Sequence, residues 1–342
     1  MTAIATALVG YGFSARTFHL PFLQANADFR LTAISTGQGA RAAAELPGVA
    51  VFAEAEALID RCDAELVIIT APNAVHFALA QRALQRGRHV VLEKPFVTDV
   101  AAGEHLIALA GRQERLLSVY HNRRWDGDFL TLTRLLADKR LGEIHRFESH
   151  FDRFRPQVRQ RWREQPGVGS GIWFDLGPHL VDQALQLFGP PEAVTGRCRA
   201  LRDGSRVTDY FHVQLHYPAL EVTLHSSPYC AGPNLRFDLQ GSAGSYRKFG
   251  LDPQEARLLA GTPPTTERWA QETPEGFGTL YRGDASERIP TRCGGYQHYY
   301  RQLARALRGA GPNPVAASEA LAVIRLLQLA RASSRQGRTL AV

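Results

Sequence analysis

Cysteine is scarce and scattered in this chain. The four residues, Cys62, Cys198, Cys230 and Cys293, share no C-x-x-C spacing. That pattern excludes a zinc ribbon or a disulfide-built fold, so no metal is expected and a reducing cytoplasm is the expected setting. Long apolar runs are missing as well: none approaches the roughly 20 residues that a membrane span needs. The opening MTAIATALVGYG has neither the basic start nor the long apolar core of a signal peptide, and it reads as a first strand. Internal repeats and low-complexity tracts are absent too.

What is present is an ordinary globular composition, 44% hydrophobic and 21% charged over 342 residues. This length exceeds what one core usually serves, so two domains are expected. Lysine and arginine outnumber the acids 40 to 33, a net charge of +7. The densest basic stretch is RFRPQVRQRWRE, 153–164, flanked by acids at Asp152 and Glu164. It reads as a solvated face or a contact for an anionic ligand, not as a nucleic-acid interface.

Through residue 121, apolar strand-like runs alternate with helical patterns. The runs are AIATALV, FRLTAIS, VAVF, AELVIITA, HVVLEK and LLSVYH. The helical pattern NAVHFALAQRALQRG has Asn73 as a candidate cap and Gly87 as its stop. TDVAAGEHLIALAG repeats the logic with Thr98 and Gly111. Buried strands separated by crossover helices predict a doubly wound parallel sheet over 1–121. After His121 the period changes. The helix DGDFLTLTRLLADKR precedes alternating strands: GEIHRFESHFDRF, VTGRCRALR, RVTDYFHVQLHYP, LEVTLHSS, RFDLQGS and GSYRKFG. One helical segment, FDLGPHLVDQALQLFG, interrupts them. An α+β domain over 122–342, with a large, mostly antiparallel sheet covered on one face, is predicted. A loop over 250–294 and two helices near 296–308 and 317–335 complete the reading.

VGYGFSA follows the first strand, and Gly10, Gly12 and Ala15 fit G-x-G-x-x-G/A. Gly10 permits the tight turn, Gly12 lets the backbone approach a pyrophosphate, and Ala15 keeps the helix close to the sheet; Phe13 and Ser14 lie in the same turn. A strand, this turn and a helix together predict a bound dinucleotide. The second strand ends in Ser35 and Thr36, with no acid until Glu45. A carboxylate there would bond the ribose 2′-hydroxyl of NAD and repel a 2′-phosphate. Its absence, with hydroxyls at Ser35 and Thr36 and the cation of Arg41, predicts NADP.

Glu93-Lys94-Pro95 closes the fifth strand at the carboxyl edge, where doubly wound sheets bind ligands. A solvated strand-end lysine is the alternative. Ala71, Pro72 and Asn73 end the preceding strand and line the same crevice, with His76 one turn into the next helix. Glu93 reads equally as a ribose contact or a local anchor. Further on, Asp175 and His179 are spaced i, i+4 behind a glycine-rich loop, with Asp182 a turn beyond. An imidazole base, an ammonium and a carboxylate suit alcohol oxidation by hydride transfer. The base needs a pKa near neutrality, and the ammonium stabilises a developing alkoxide.

GYGFSA, A-P-N, E-K-P at 93–95, D-x-x-x-H at 175–179 and the N-P-V…A…A…I run over 313–324 occur in this order. Together they resemble the glucose–fructose oxidoreductase / inositol dehydrogenase family, Gfo/Idh/MocA, across essentially the whole chain. HNRRWD, FESHFDRFRP, RQRWRE and GIWFDLGPHLVDQALQLFG look like its NADP-dependent scyllo-inositol dehydrogenases. The resemblance implies an N-terminal Rossmann domain and an open C-terminal sheet that mediates a homodimer or homotetramer. It assigns the catalytic lysine, aspartate and histidine to Lys94, Asp175 and His179, and it implies a cis Lys94–Pro95 bond. The family's histidine is often followed by an acid, whereas Leu180 follows here, which puts further substrate contacts in doubt. Asn122 is a candidate substrate or nicotinamide contact, and Trp125, Trp162 and Trp173 are candidate platforms for a cyclitol or else packing residues. The expected activity is interconversion of scyllo-inositol and its inosose with NADP. A dehydrogenase of an aldose or another polyol, and a non-catalytic NADP-binding sensor, are the alternatives.

Overall fold

The computed structural model describes residues 2–342, the side chain of Trp162 excepted, and these fall into two compact units. The first holds the chain up to Asn122 together with Gln254–Ala270 and Gly295–Leu321; the second holds Arg123–Pro253, Gln271–Gly294 and Ala322–Val342.

The first unit is built on six strands: β1 (Ile4–Val9), β2 (Phe29–Ser35), β3 (Ala50–Phe52), β4 (Leu66–Ile69), β5 (His89–Glu93) and β6 (Leu117–Tyr120). They run parallel in the order β3-β2-β1-β4-β5-β6. All of β4, Leu-Val-Ile-Ile, is fully buried. Helices lie on both sheet faces, so the strand has no polar side and its run shows no alternation. The order reverses between β1 and β4, which places the ligand crevice at their carboxyl ends.

Two later segments complete this unit, so a division at residue 121 is too simple. Asn313 Nδ2 donates to the Leu117 carbonyl at 2.9 Å, and Ser118 Oγ and Val119 N both donate to Val315 O, at 3.0 and 3.2 Å. The N-P-V segment therefore satisfies the free edge of β6. Phe22 stacks on Tyr300, with ring centroids 6.2 Å apart and planes 13° from parallel. The helices largely follow their sequence signals. Gly87 (φ +70°) ends the helix His76–Gln85. The cap of Val100–Arg112 is Asp99, whose carboxylate accepts from Ala102 N at 3.1 Å, and not Thr98; that helix runs through Gly111. A carboxylate accepts a backbone N–H more strongly than a hydroxyl does, and one residue's shift suffices to use it.

The second unit carries nine strands: β7 (Ile144–His150), β8 (Ala193–Arg199), β9 (Tyr210–His216), β10 (Glu221–Ser226), β11 (Leu235–Gly241), β12 (Gly244–Phe249), β13 (Gly278–Arg282), β14 (Ala285–Ile289) and β15 (Leu340–Ala341). Their order is β14-β13-β12-β11-β7-β10-β9-β8-β15, antiparallel except for the parallel pair β7 and β10. In β9, Phe211, Val213 and Leu215 are fully buried while Tyr210, His212, Gln214 and His216 alternate outward. The helix Gly177–Phe188 and the end of Ala317–Gln336 pack on the apolar face. The close approach centres on Gly196, whose N–H donates to Ser333 Oγ at 2.9 Å.

The stretch expected to be a loop over 250–294 contains the helix Gln254–Leu259 and the hairpin β13–β14. β14 lies at the edge with four of its five residues exposed, so it carries no apolar alternation for a sequence reading to find. Among the described residues, no helix is long and apolar enough to cross a membrane.

A Cβ added at Gly196 would lie 2.1 Å from the Ala330 carbonyl oxygen. Backbone cannot yield as a flexible side chain would, so Gly196→Ala is expected to destabilise the protein by about 1–3 kcal/mol. Urea unfolding followed by circular dichroism checks this; an unchanged midpoint would show that the helix can retreat freely.

Candidate active site

In the first unit the site begins at the turn after β1. Gly10 has φ +98° and lies so close to β4 that a Cβ would meet Thr70 Oγ1 at 2.7 Å. Its N–H donates to Ser35 O at 3.0 Å, which ties the turn to the end of β2. Around Gly12 the opposite holds: a Cβ there would meet nothing within 4 Å. One glycine is demanded by packing and the next leaves open space beside the backbone. Phe13 is 49% exposed, and Ala15, fully buried, opens the helical segment Ala15–His19. These residues fit a dinucleotide, whose pyrophosphate needs close backbone approach there.

At the end of β2, Ser35 is buried, Thr36 is half-buried and Arg41 is exposed. Thr36 Oγ1 accepts from Gln38 N at 2.9 Å and keeps its proton available. Arg41 Nε donates to Glu45 at 2.7 Å, an exposed i, i+4 pair, and Tyr11 of the glycine turn donates to the same carboxylate. Exposed pairs of this type are weak, so a phosphate can redirect the guanidinium. With Ser35 enclosed, Thr36 and Arg41 are the two of the three predicted residues that stand open.

Glu93 is buried at the end of β5, and the partners of both its carboxylate oxygens belong to the protein. Oε1 accepts from His19 Nε2 at 3.0 Å and from Ser14 Oγ, and Oε2 accepts from Lys94 N at 3.0 Å. Burial by itself would raise the carboxyl pKa. The His19 ring, the Lys94 charge and the Ser14 hydroxyl overcome it and hold the pKa at about 2. His19 Nδ1 meets Tyr300 Oη at 2.6 Å. Of the two readings of Glu93, its contacts are those of an anchor, and Ser14 spends its hydroxyl proton on it.

Lys94 follows, half-buried, and the Lys94–Pro95 bond is cis. Ala71 and Asn73 are half-buried and Pro72 is exposed, beyond β4. His76 departs from expectation. It is 1% exposed, with Nδ1 3.1 Å from Pro95 O and Nε2 2.9 Å from Ala71 O. Burial holds its pKa below the ordinary value. Its ring lies between the loops that carry Ala71 and Pro95, and its one N–H donates to one of their carbonyls. Asn122, which ends the first segment of this unit, is buried.

In the second unit, Asp175 and His179 do not share one continuous helix. Ile172–Asp175 ends there, and Gly177–Phe188 begins after a break at Leu176. Pro178 lacks the N–H that a continuous helix would bond, which explains the break. Gly171 (φ +85°) aims the first of these helices: its N–H donates to Arg163 O at 2.9 Å, and Ile172 N donates to Thr208 O at 2.6 Å. Asp175 faces Arg163 Nε at 3.4 Å with its side chain 24% exposed, whereas His179 is 5% exposed. Asp182 forms a buried two-point pair with Arg124, at 2.9 and 2.6 Å. Trp173 is core: its Nε1 donates to Leu327 O at 3.0 Å and it meets Phe211 edge-on at 4.7 Å. Trp125 is buried as well. The expected substrate contact Trp162 has a side chain outside the described residues.

Several residues that organise these sites were not anticipated. Besides His19 and Tyr300, buried Arg236 bonds Gln183 Oε1 at 2.6 Å and Ser149 Oγ at 2.8 Å, beside Asp128 at 3.3 Å. The charged run HNRRWDGD was the only sequence signal for this network. His150, Asp152 and His225 are also brought together, because β7 and β10 pair His150 with His225; one ligand atom from each lies within 4.8 Å of the others. Asp152 accepts from His150 Nδ1 at 3.2 Å and Glu148 faces its Nε2 at 3.1 Å. Burial would lower the His150 pKa, but these two carboxylates raise it to about 9. A cationic histidine between carboxylates accounts for the cluster.

Residues 4–121 match the model described as "Oxidoreductase family, NAD-binding Rossmann fold", and residues 133–342 match "Oxidoreductase family, C-terminal alpha/beta domain". The Escherichia coli protein named uncharacterized oxidoreductase YdgJ is 46% identical over 98% of both chains. The Bacillus subtilis scyllo-inositol 2-dehydrogenase (NADP(+)) IolW is 37% identical over 98% of this chain and 95% of that protein. The solved structure of the putative oxidoreductase yvaA from Bacillus subtilis superposes with a TM-score of 0.96 at 36% identity, covering 100% of this chain and 99% of that one.

The Glu93 pKa of about 2 lies below its unfolded value of 4.5. Its contribution to stability is therefore complete above pH 4.5 and is lost as the pH falls from there through 2. Urea titrations across this window are expected to give a steeper fall for the wild type than for Glu93→Gln; equal slopes would show the carboxylate to be idle.

Proposed function

The chain belongs to the Gfo/Idh/MocA oxidoreductase family, and from that premise we propose that it is a cytoplasmic NADP-dependent dehydrogenase of a cyclic polyol, interconverting scyllo-inositol and its inosose. The observation that carries this reading is the presentation of Lys94. It leaves a central parallel strand at the crevice edge, its N–H is fixed by Glu93, and Glu93 in turn is fixed by the glycine-turn helix. A lysine kept only for solubility needs no such support.

A nicotinamide dinucleotide, when bound, accepts or donates the hydride. Gly10, Gly12 and Phe13 would hold its pyrophosphate side, and Thr36 and Arg41 would hold the 2′-phosphate. For a carbinol oxidation, which releases a hydride and a hydroxyl proton, the roles proposed from the family resemblance are base for His179, stabiliser of a developing alkoxide for Lys94 and orienting carboxylate for Asp175. The polyol assignment draws on the Bacillus subtilis relative whose name states a scyllo-inositol substrate and NADP(+). The half-open polar face of the nine-stranded sheet is the proposed surface for a homodimer or homotetramer, and Asn122 a proposed substrate contact.

Reduced-cofactor absorbance, with NADP⁺ or NAD⁺ against scyllo-inositol, myo-inositol and a set of aldoses, tests the reading. Turnover with scyllo-inositol and NADP⁺ is expected. Cofactor binding without turnover of any polyol would instead favour a sensor. Lys94→Ala is expected to lower kcat by about 10²–10⁴-fold while NADP⁺ affinity, read by fluorescence titration, stays within a few-fold. Arg41→Ala is expected to weaken NADP⁺ by about tenfold, the loss of one charged hydrogen bond, and to leave NAD⁺ unchanged.

A further inference from the structure

The basic stretch 153–164 has no part in the chemistry above, yet the second unit folds it into a cavity. Arg153, Arg155, Arg161, Arg163 and Arg202 all line that cavity. The carboxylates beside them are Glu164, Asp209 and the proposed catalytic Asp175. Five cations against three anions leave a formal charge of +2 in one pocket.

The arginines are not equivalent. Arg202 is buried and neutralised twice over, 3.0 Å from Asp209 and 3.1 Å from Glu164. It also donates to the carbonyls of Arg155 and Gln157, at 3.4 and 3.0 Å, which fixes the loop that carries Arg155. Arg161 pairs with Glu164 at 3.0 Å, and Arg163 faces Asp175 at 3.4 Å. Arg153 lies over the Phe151 ring at 5.0 Å. Arg155 is half-buried and makes no ion pair among the described residues. Burial, then the like charges of Arg159 and Arg161, lower its pKa against the opposing pull of Glu164 and Asp175. A fixed loop thus holds one guanidinium toward other guanidinia, in a cavity that Asp175 also lines. Such crowding is relieved by a bound anion.

We infer that this cavity binds an oxyanion carried by the substrate, so that the preferred polyol bears a phosphate ester or a carboxylate. The inference rests on the reading of Asp175 as part of the substrate site and narrows the substrate class of that same site. A planar guanidinium matches either oxyanion with two parallel hydrogen bonds. The charge of +2 favours the dianionic phosphate over the carboxylate. A neutral cyclitol offers Arg155 no oxyanion to pair with.

The test compares the full chain with Arg155→Ala, Arg155→Lys and Arg41→Ala. A cyclitol monophosphate and a hexuronate are offered as substrates beside scyllo-inositol, with NADP⁺. At least one anionic polyol is expected to exceed scyllo-inositol tenfold in kcat/KM. Arg155→Ala is expected to raise the KM for it by about 10–100-fold with kcat within about threefold, and Arg155→Lys to recover part of the loss. The better of the two anionic substrates identifies the oxyanion. Inorganic phosphate, titrated calorimetrically into protein without cofactor, is expected to bind in a way lost in Arg155→Ala and kept in Arg41→Ala. If no polyol turns over but this binding is seen, the cavity assignment stands and the dehydrogenase reading falls. Equal kcat/KM for neutral and anionic polyols, or phosphate binding lost only in Arg41→Ala, or no phosphate binding at all, overturns the inference.

Discussion

The first unit depends on a single buried carboxylate. Glu93 joins the end of a central strand, the helix after the glycine turn through Ser14 and His19, and, through His19, Tyr300 of the helix Gln297–Leu307. An ionised carboxyl taken out of water is costly unless its oxygens are hydrogen-bonded, and here both are. The group works as a coordinate origin. The backbone N–H of Lys94 hangs from it on one side and the pyrophosphate turn on the other. Any displacement of the turn would leave a buried charge short of partners, so the fold resists that displacement. His76 acts similarly at the neighbouring loops, with its ring between the Ala71 and Pro95 carbonyls and its N–H donated to one of them.

The second unit uses the same physics with more charges. Arg124 grips Asp182 at two points, and Arg236 spans Gln183, Ser149 and Asp128 beneath the sheet. These links hold the helix Gly177–Phe188, whose first turn carries His179. The break at Leu176 then lets Asp175 leave that helix's line and face the arginine-lined cavity. A buried histidine and a partly exposed aspartate, four positions apart, follow from one proline.

Much of this was legible in the order of residues, because the relevant signals are local. The glycine turn, the six buried runs, the alternation in β9 and the two last helices each depend on neighbours within a few residues. The role of Glu93 was not legible, since His19 and Tyr300 lie 74 and 281 positions from their partners. Nothing near either residue marks the pairing. The β13–β14 hairpin escaped for a different reason: it is an edge feature whose outward side chains are polar, so it resembles a loop. His76 shows the converse error. Its place in the sequence could not tell whether the ring points at a ligand or at carbonyls of the protein, and it points at the latter.

The edge of β6 has a further consequence. Its ladder is completed by Asn313 and Val315, and the Asn313–Leu117 contact spans 196 positions. On a ribosome adding roughly 5–20 residues per second, that edge waits about 10–40 s for its partner. The nucleotide-binding half is translated first but completed only near the end of the chain, with β6 an open template throughout the interval. A chaperone or an early-bound dinucleotide would have its greatest effect in that window.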